Sequence, residues 1–263
     1  MTEKKDSNLN NLETLSWHYQ PGPSFSALPW GPHRLPVKLA LDGLSLSLEK
    51  SGTGYLYRRE DQNGSVEKLV QSGKGEIYLS PVEPFNYPAG ISQHLLLELE
   101  HPVLLGPRKS AKLFLTAPLE IAVNYTHKRS EEAVLDRFSF LKPKLSLYGT
   151  VKNGLICRYW QSSIHESIPH LNPLAEAVLQ LTINNGSNRW AEASQVVFSA
   201  QAMKIYYNQQ LVAMQATMKI NNDLTAETTF IDEPLKAGMR KAPEQFSARL
   251  LSLPGRMVME EGY

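Results

Sequence analysis

The segment "YGTVKNGLICRYW" (148–160) holds the one cysteine of the chain, Cys157, directly before Arg158. A thiol beside a guanidinium is a candidate nucleophile, because a nearby cation favours the thiolate. Strand geometry argues against it here. Adjacent residues of an extended chain point to opposite faces, so Cys157 and Arg158 look away from each other. Cys157 is expected to be a small buried residue packed between tyrosines, and no catalytic residue is assigned. Arg158 is more informative. Asn153-Gly154 signals a two-residue hairpin turn, which would set Gly149 opposite Arg158 and Leu147 opposite Trp160. One face then carries Leu145, Leu147, Val151, Ile156, Arg158 and Trp160, and the other carries Tyr148, Thr150, Cys157 and Tyr159. Trp160 lies within reach of Arg158 for cation–π stacking. A semi-buried arginine calls for a carboxylate partner, with Asp136 as a candidate, or else it binds an anion in a ligand pocket. Arg158 and Trp160 are therefore the candidate ligand-binding residues.

Other constellations fail on spacing or context. "IHESIPH" offers His165, Glu166 and His170, but the second histidine is one residue too late for the zinc-binding His-Glu-x-x-His pattern, and Pro169 precedes it. No metal site is expected. Glu98 and Glu100 share one face of "HLLLELEH", about 7 Å apart at twice the strand rise. That spacing would suit paired carboxylates in glycoside chemistry, yet the face opposite is all leucine, so both are read as solvated. The glycines of "SGTGY" and "SGKGE" lack the spacing and context of a phosphate loop or a dinucleotide fold. No Gly-x-Ser-x-Gly nucleophile elbow is present. Met203, Met214 and Met218 read as fillers of core gaps.

Composition narrows the classes further. The chain has 263 residues, 42 % of them hydrophobic and 20 % charged, with a formal net charge of +1. A balanced charge gives no global field to draw in nucleic acid or an anionic membrane. One cysteine cannot form an internal disulfide or a multi-cysteine metal centre, and no cofactor is expected. The N-terminal residues lack the apolar core of a secretory signal. No apolar run approaches the roughly 18 residues that span a bilayer. A soluble, cytoplasmic protein is the expectation.

The elements that must position these residues are strands. In "VKLALDGLSLSLE" the apolar residues alternate, and their parity flips at Asp42-Gly43. A two-residue Asp-Gly turn would pair Leu41 with Leu44, Leu39 with Leu46 and Val37 with Leu48, all on one face. Turn and alternation support one register independently. Asn63-Gly64 divides a similar pair, and Pro118 marks a strand break or edge. Well over ten short strands follow one another, which predicts an all-β fold of two β-sandwich-like units with a few short helices. The expected divisions are an extended arm at 1–29 bearing Trp17, Tyr19 and Phe25; a first unit at 30–128; a linker at 129–142, helical by its acidic "RSEEAVLDRF" start; a second unit at 143–233; and a basic tail at 234–263. "EQFSARLLSL" (244–253) is expected to be a short helix.

The run "LDRFSFLKPKLSLYGTVKNGLICRYWQSSI" (135–164), with "LQLTINNGSNRWAEASQVVF" (179–198), resembles the domain-of-unknown-function family 432, known mostly from archaeal genomes. The likeness is strongest over the second half of the chain. That family has no assigned activity, so no residue inherits a role from it. The residues themselves favour a β-rich binding or scaffolding protein that acts through a protein partner, a homo-oligomer or a small ligand. The alternative is an enzyme acting on a sugar or other small polar substrate, which would gather Arg158, Trp160 and a distant carboxylate in one pocket. A third reading is peripheral membrane contact through the basic tail.

Overall fold

A computed structural model describes residues 28–41, 43–71, 75–127, 131–244 and 256–263. In chain order the first strands are β1 (Gly31–Arg34), β2 (Val37–Leu41), β3 (Leu44–Ser51), β4 (Gly54–Asp61), β5 (Gly64–Val70) and β6 (Glu76–Val82). They are followed by β7 (His94–Leu105), β8 (Ser110–Pro118), β9 (Glu120–His127), β10 (Glu131–Phe138), β11 (Lys144–Tyr148), β12 (Leu155–Ser162) and β13 (Glu176–Asn185). The last are β14 (Ala191–Ser199), β15 (Tyr206–Tyr207), β16 (Val212–Ile220), β17 (Ala226–Ile231), β18 (Arg240–Lys241) and β19 (Arg256–Met259). Among the described residues the only helical segment is one 3₁₀ turn, Ala200–Ala202. The fold is all-β, as the alternation predicts.

Four sheets result. Their strand orders are β1-β6-β9-β10, β2-β3-β4-β5, β11-β12-β7-β14 and β18-β15-β16-β13-β8, the last extended by β17 and β19. The Asp42-Gly43 hairpin forms in the expected register, with Val37 opposite Leu48, Leu39 opposite Leu46 and Leu41 opposite Leu44. Gly43 takes the positive φ of 72° that a side chain would resist. One cluster of buried side chains draws on all four sheets, from Leu46 and Tyr57 through Leu79, Leu97 and Ile121 to Leu179 and Met218. Met203, Met214 and Met218 lie in it, as gap fillers.

Three expectations change. Residues 131–138 form strand β10 against β9, so the acidic run is no helical linker. Phe138 is buried in the core from this strand and Leu135 packs against it, and the helix propensity of the run is overridden. Second, β7 pairs with β12 and β14, and β8 with β13. Sheets thus mix strands from both sides of the expected 129–142 division, including parallel pairs β12–β7 and β13–β16. Third, the described parts of the basic tail include two short strands, β18 on β15 and β19 on β17. Lys241 pairs with Asp232 and Glu244, and Arg256 with Glu227. Trp17, Tyr19 and Phe25, and residues 245–253 of the expected C-terminal helix, lie outside the described residues. Trp30 is buried edge-on to Tyr207, with ring centroids 6.3 Å apart. No described helix is long and apolar enough to cross a membrane.

A polar knot joins β4 to β10. Arg59 Nε donates to Asp136 Oδ2 at 2.7 Å, and Tyr57 donates its hydroxyl to the same oxygen at 3.0 Å. Arg59 also pairs with Asp61 and lies 4.4 Å over the Phe138 ring. A register shift between Val134 and Asp136 aims the carboxylate at this cluster. Asp136 is therefore the partner of Arg59, not of Arg158.

Candidate anion-binding cleft

The hairpin that carries Arg158 has a different register from the one its Asn-Gly pair predicts. Leu145 lies opposite Arg158, Leu147 opposite Ile156 and Tyr148 opposite Leu155. The loop spans 149–154 and closes with Gly154 N–H donating to Thr150 O at 2.6 Å. Gly149, at φ 92°, takes the left-handed position, and neither Asn153 nor Gly154 has the positive φ of a type I′ turn. The shift is by an even number of residues, so the assignment of side chains to faces survives. Cys157 is fully buried, and burial pushes its thiol up to about 11. Arg158 is on the other face, 3 % exposed.

Arg158 is held by the loop between β6 and β7. One terminal nitrogen donates to Tyr87 O at 2.7 Å and to Pro88 O at 2.9 Å. Its Nε–H has no acceptor, and no carboxylate comes within ion-pair distance of the guanidinium among the described residues. Arg158 makes no cation–π contact with Trp160. The carbonyls of Tyr87 and Pro88 draw the guanidinium away, and Trp160 Nε1 donates to Thr116 Oγ1 at 3.0 Å.

Glu120 faces the same loop. Pro118 ends β8 in one sheet, and the chain re-enters another at Glu120, the first residue of β9. The Glu120 carboxylate accepts the N–H of Asn86 at 2.8 Å and of Tyr87 at 3.1 Å. Burial raises its pKa to about 7, against the opposing pull of those N–H donors and the Arg158 charge. Beside it, Tyr159 donates to Glu98 Oε2 at 2.6 Å, and burial with that carboxylate pushes the phenol up to about 12. Glu98 is thus half-buried and engaged, whereas Glu100 is exposed and accepts from Ser163.

Arg158, Trp160 and Glu120 line one shallow surface cleft with Tyr159, Lys142 and Lys144, whose enclosed space is about 30 Å³. Pro84, Pro118 and Pro143 supply apolar wall. The two residues singled out in the sequence therefore meet in one place, joined by a carboxylate from a distant strand. Sequence reasoning missed Glu120 and the two lysines. The available signal was a charged residue within the apolar "PLEIAV", and a stretch from Arg137 to His165 that is basic and contains no Asp or Glu. His165 does not approach a metal site: its backbone bridges to Phe114, and no group of three metal-ligating side chains occurs among the described residues.

A family model described as a protein of unknown function, DUF432, matches residues 29–260. The chain belongs to the DUF432 family. The match runs across both halves, wider than the second-half likeness alone. No curated protein and no solved structure matches it. In this DUF432 protein the cleft takes Pro84, Tyr87 and Glu120 from the first half, and Lys142, Arg158 and Trp160 from the second.

Proposed function

We propose that this DUF432 protein is a binding protein that takes an anionic group in the cleft at Arg158 and Trp160. The observation that carries this reading is a buried guanidinium with no ion-paired carboxylate and one N–H left without an acceptor. An uncompensated buried charge is costly, and an oxyanion would offset that cost. Lys142 and Lys144 at the rim would steer the anion in. The test follows the Trp160 indole N–H resonance while benzoate or inorganic phosphate is titrated in. A saturable shift, weakened about tenfold or more in Arg158→Lys, is expected, because lysine lacks the planar fork. An indole signal unmoved at tens of millimolar of either anion would overturn the reading.

A second reading, an enzyme acting on a sugar or other small polar substrate, is favoured by Glu120. A carboxyl that titrates near 7 is matched to acid–base work at neutral pH. Against it, both carboxylate oxygens already hold backbone N–H groups. Turnover that vanishes in Glu120→Gln while benzoate affinity survives would establish the enzyme.

A further inference from the structure

The sheet beside the cleft has an uncovered apolar edge. Leu145 is 47 % exposed, Leu147 41 % and Ile156 53 %. Their cross-strand pairing places them on the face that carries Arg158. Tyr87 and Ile91, from the loop that Arg158 holds, are exposed as well. The outermost strand is β11, which pairs with β12 and with no other described strand. No described residue pairs with its outer backbone N–H and C=O groups. Natural edges are usually blunted by charge, proline or a bulge. This one carries Lys144 at its first position, directly after Pro143, and then reads Leu145, Ser146, Leu147, Tyr148 with no further charge, proline or bulge.

Charge is distributed unevenly along the edge. Lys142 and Lys144 lie at its start, near Arg158. At its end, Tyr148 donates its hydroxyl to Gly262 O at 2.8 Å and accepts the Glu261 N–H at 3.0 Å. The Glu261 side chain lies against Gly149, and the negative charges of Glu260 and Glu261 both reach Tyr148. The edge is thus basic at one end and acidic at the other, with leucines between.

We propose that β11 pairs antiparallel with β11 of a second copy of this chain, about a two-fold axis at Ser146. A surface that carries its own complement in this order suits an isologous contact. The axis at Ser146 sets Leu145 opposite the partner's Leu147, and Lys144 opposite the partner's Tyr148, beside its acidic C-terminal residues. An axis at Leu145 or Leu147 would leave one leucine of each copy facing Pro143 or Gly149. Pairing about Ser146 buries four leucines on one face, continuous with Ile156 of each copy, and satisfies the open backbone groups. The two sheets become one. The contact is short, so the dimer depends on protein concentration.

Ser146 tests the axis directly. At a two-fold axis a residue faces its own copy, with Cα atoms about 4.5–5.5 Å apart in an antiparallel pair, within disulfide reach. Full-length protein carrying Ser146→Cys in a Cys157→Ala background should form a covalent dimer on mild oxidation. Lys38→Cys, on the edge strand β2 of another sheet, should not. Sedimentation of the unmodified protein should show a concentration-dependent dimer, lost in Leu145→Asp/Leu147→Asp with the monomer still folded by circular dichroism. A monomer at all concentrations without cross-linking would overturn the proposal. So would a dimer indifferent to both leucines. Strand addition by an unrelated extended peptide, seen as resonance shifts confined to 144–148 of a monomer, would replace the second copy as the occupant.

Discussion

Arg158 and Glu120 grip the same turn from opposite directions. Glu120 accepts the backbone N–H groups of Asn86 and Tyr87, and Arg158 donates to the carbonyls of Tyr87 and Pro88. Neither forms a direct ion pair with the other, yet each feels the other's charge. The peptide dipoles of the turn stand between the two charges. The loop from β6 to β7 is thereby fixed as one wall of the cleft, and the state of Glu120 is tied to the shape of that wall.

Glu120 should make stability depend on pH in a defined direction. Its pKa rises from the ordinary 4.5 to about 7 in the folded protein. Between those values the native state holds a proton that the unfolded chain has released. The stabilisation is therefore complete below about pH 4.5 and is lost as pH rises towards 7, at about 1.4 kcal/mol per pH unit. Denaturant titrations of wild type and Glu120→Gln at pH 5, 6, 7 and 8 check this. The wild-type advantage should shrink from pH 5 to 7 and then level off. A difference that grows with pH, or does not change, would sink the idea.

Removing the guanidinium should loosen the loop rather than the sheets. Arg158→Met leaves the carbonyls of Tyr87 and Pro88 without their donor, at a cost of about 2–3 kcal/mol. Arg158→Lys should lie between, since an ammonium can reach one carbonyl but lacks the fork. Hydrogen exchange reads the location: faster exchange confined to residues 83–92 is expected. Uniform acceleration across β7 and β12 would show that Arg158 supports the whole sheet.

The strands were legible because alternation is local. Val37 to Leu48 reads as a hairpin from its own residues, and the structure keeps that register. The Tyr148–Trp160 hairpin reads as a hairpin too, but its register depends on which glycine takes the left-handed position. Gly149 and Gly154 compete for it, and only the tertiary setting of Gly149 against Glu261 decides. The parallel pairing of β12 with β7 is set by packing between residues about sixty apart, for which no local pattern exists. Arg158 and Trp160 could be picked out because a charge and an indole share an otherwise apolar face. Glu120 was hidden for the opposite reason: one acidic residue at the start of a strand is ordinary until the Asn86–Tyr87 turn is laid over it.

Cys157 should be chemically silent until the protein unfolds. A thiol pushed up to about 11 and fully buried offers very little thiolate at neutral pH. Alkylation by iodoacetamide should be far slower than that of free cysteine, and should accelerate with denaturant in step with global unfolding. Reaction at the free-thiol rate in the native protein would mean that the face carrying Tyr148 and Tyr159 opens readily.

The knot at Asp136 should be intolerant of losing one partner and tolerant of losing several. Arg59, at 7 % exposed, has its buried charge paired by Asp136 and Asp61. Asp136→Ala strands that cation and the Tyr57 hydroxyl, at a cost of about 3–5 kcal/mol. Arg59→Met combined with Asp136→Leu exchanges the pair for apolar packing against Phe138, and should recover much of that loss. The double variant still leaves Asp61 and the Tyr57 hydroxyl without partners, so recovery stays incomplete, and adding Asp61→Asn restores a further part of it. Chemical denaturation of the single, double and triple variants gives the coupling energy. Purely additive losses would show that the three side chains act separately, and that the joint between β4 and β10 rests on its apolar contacts alone.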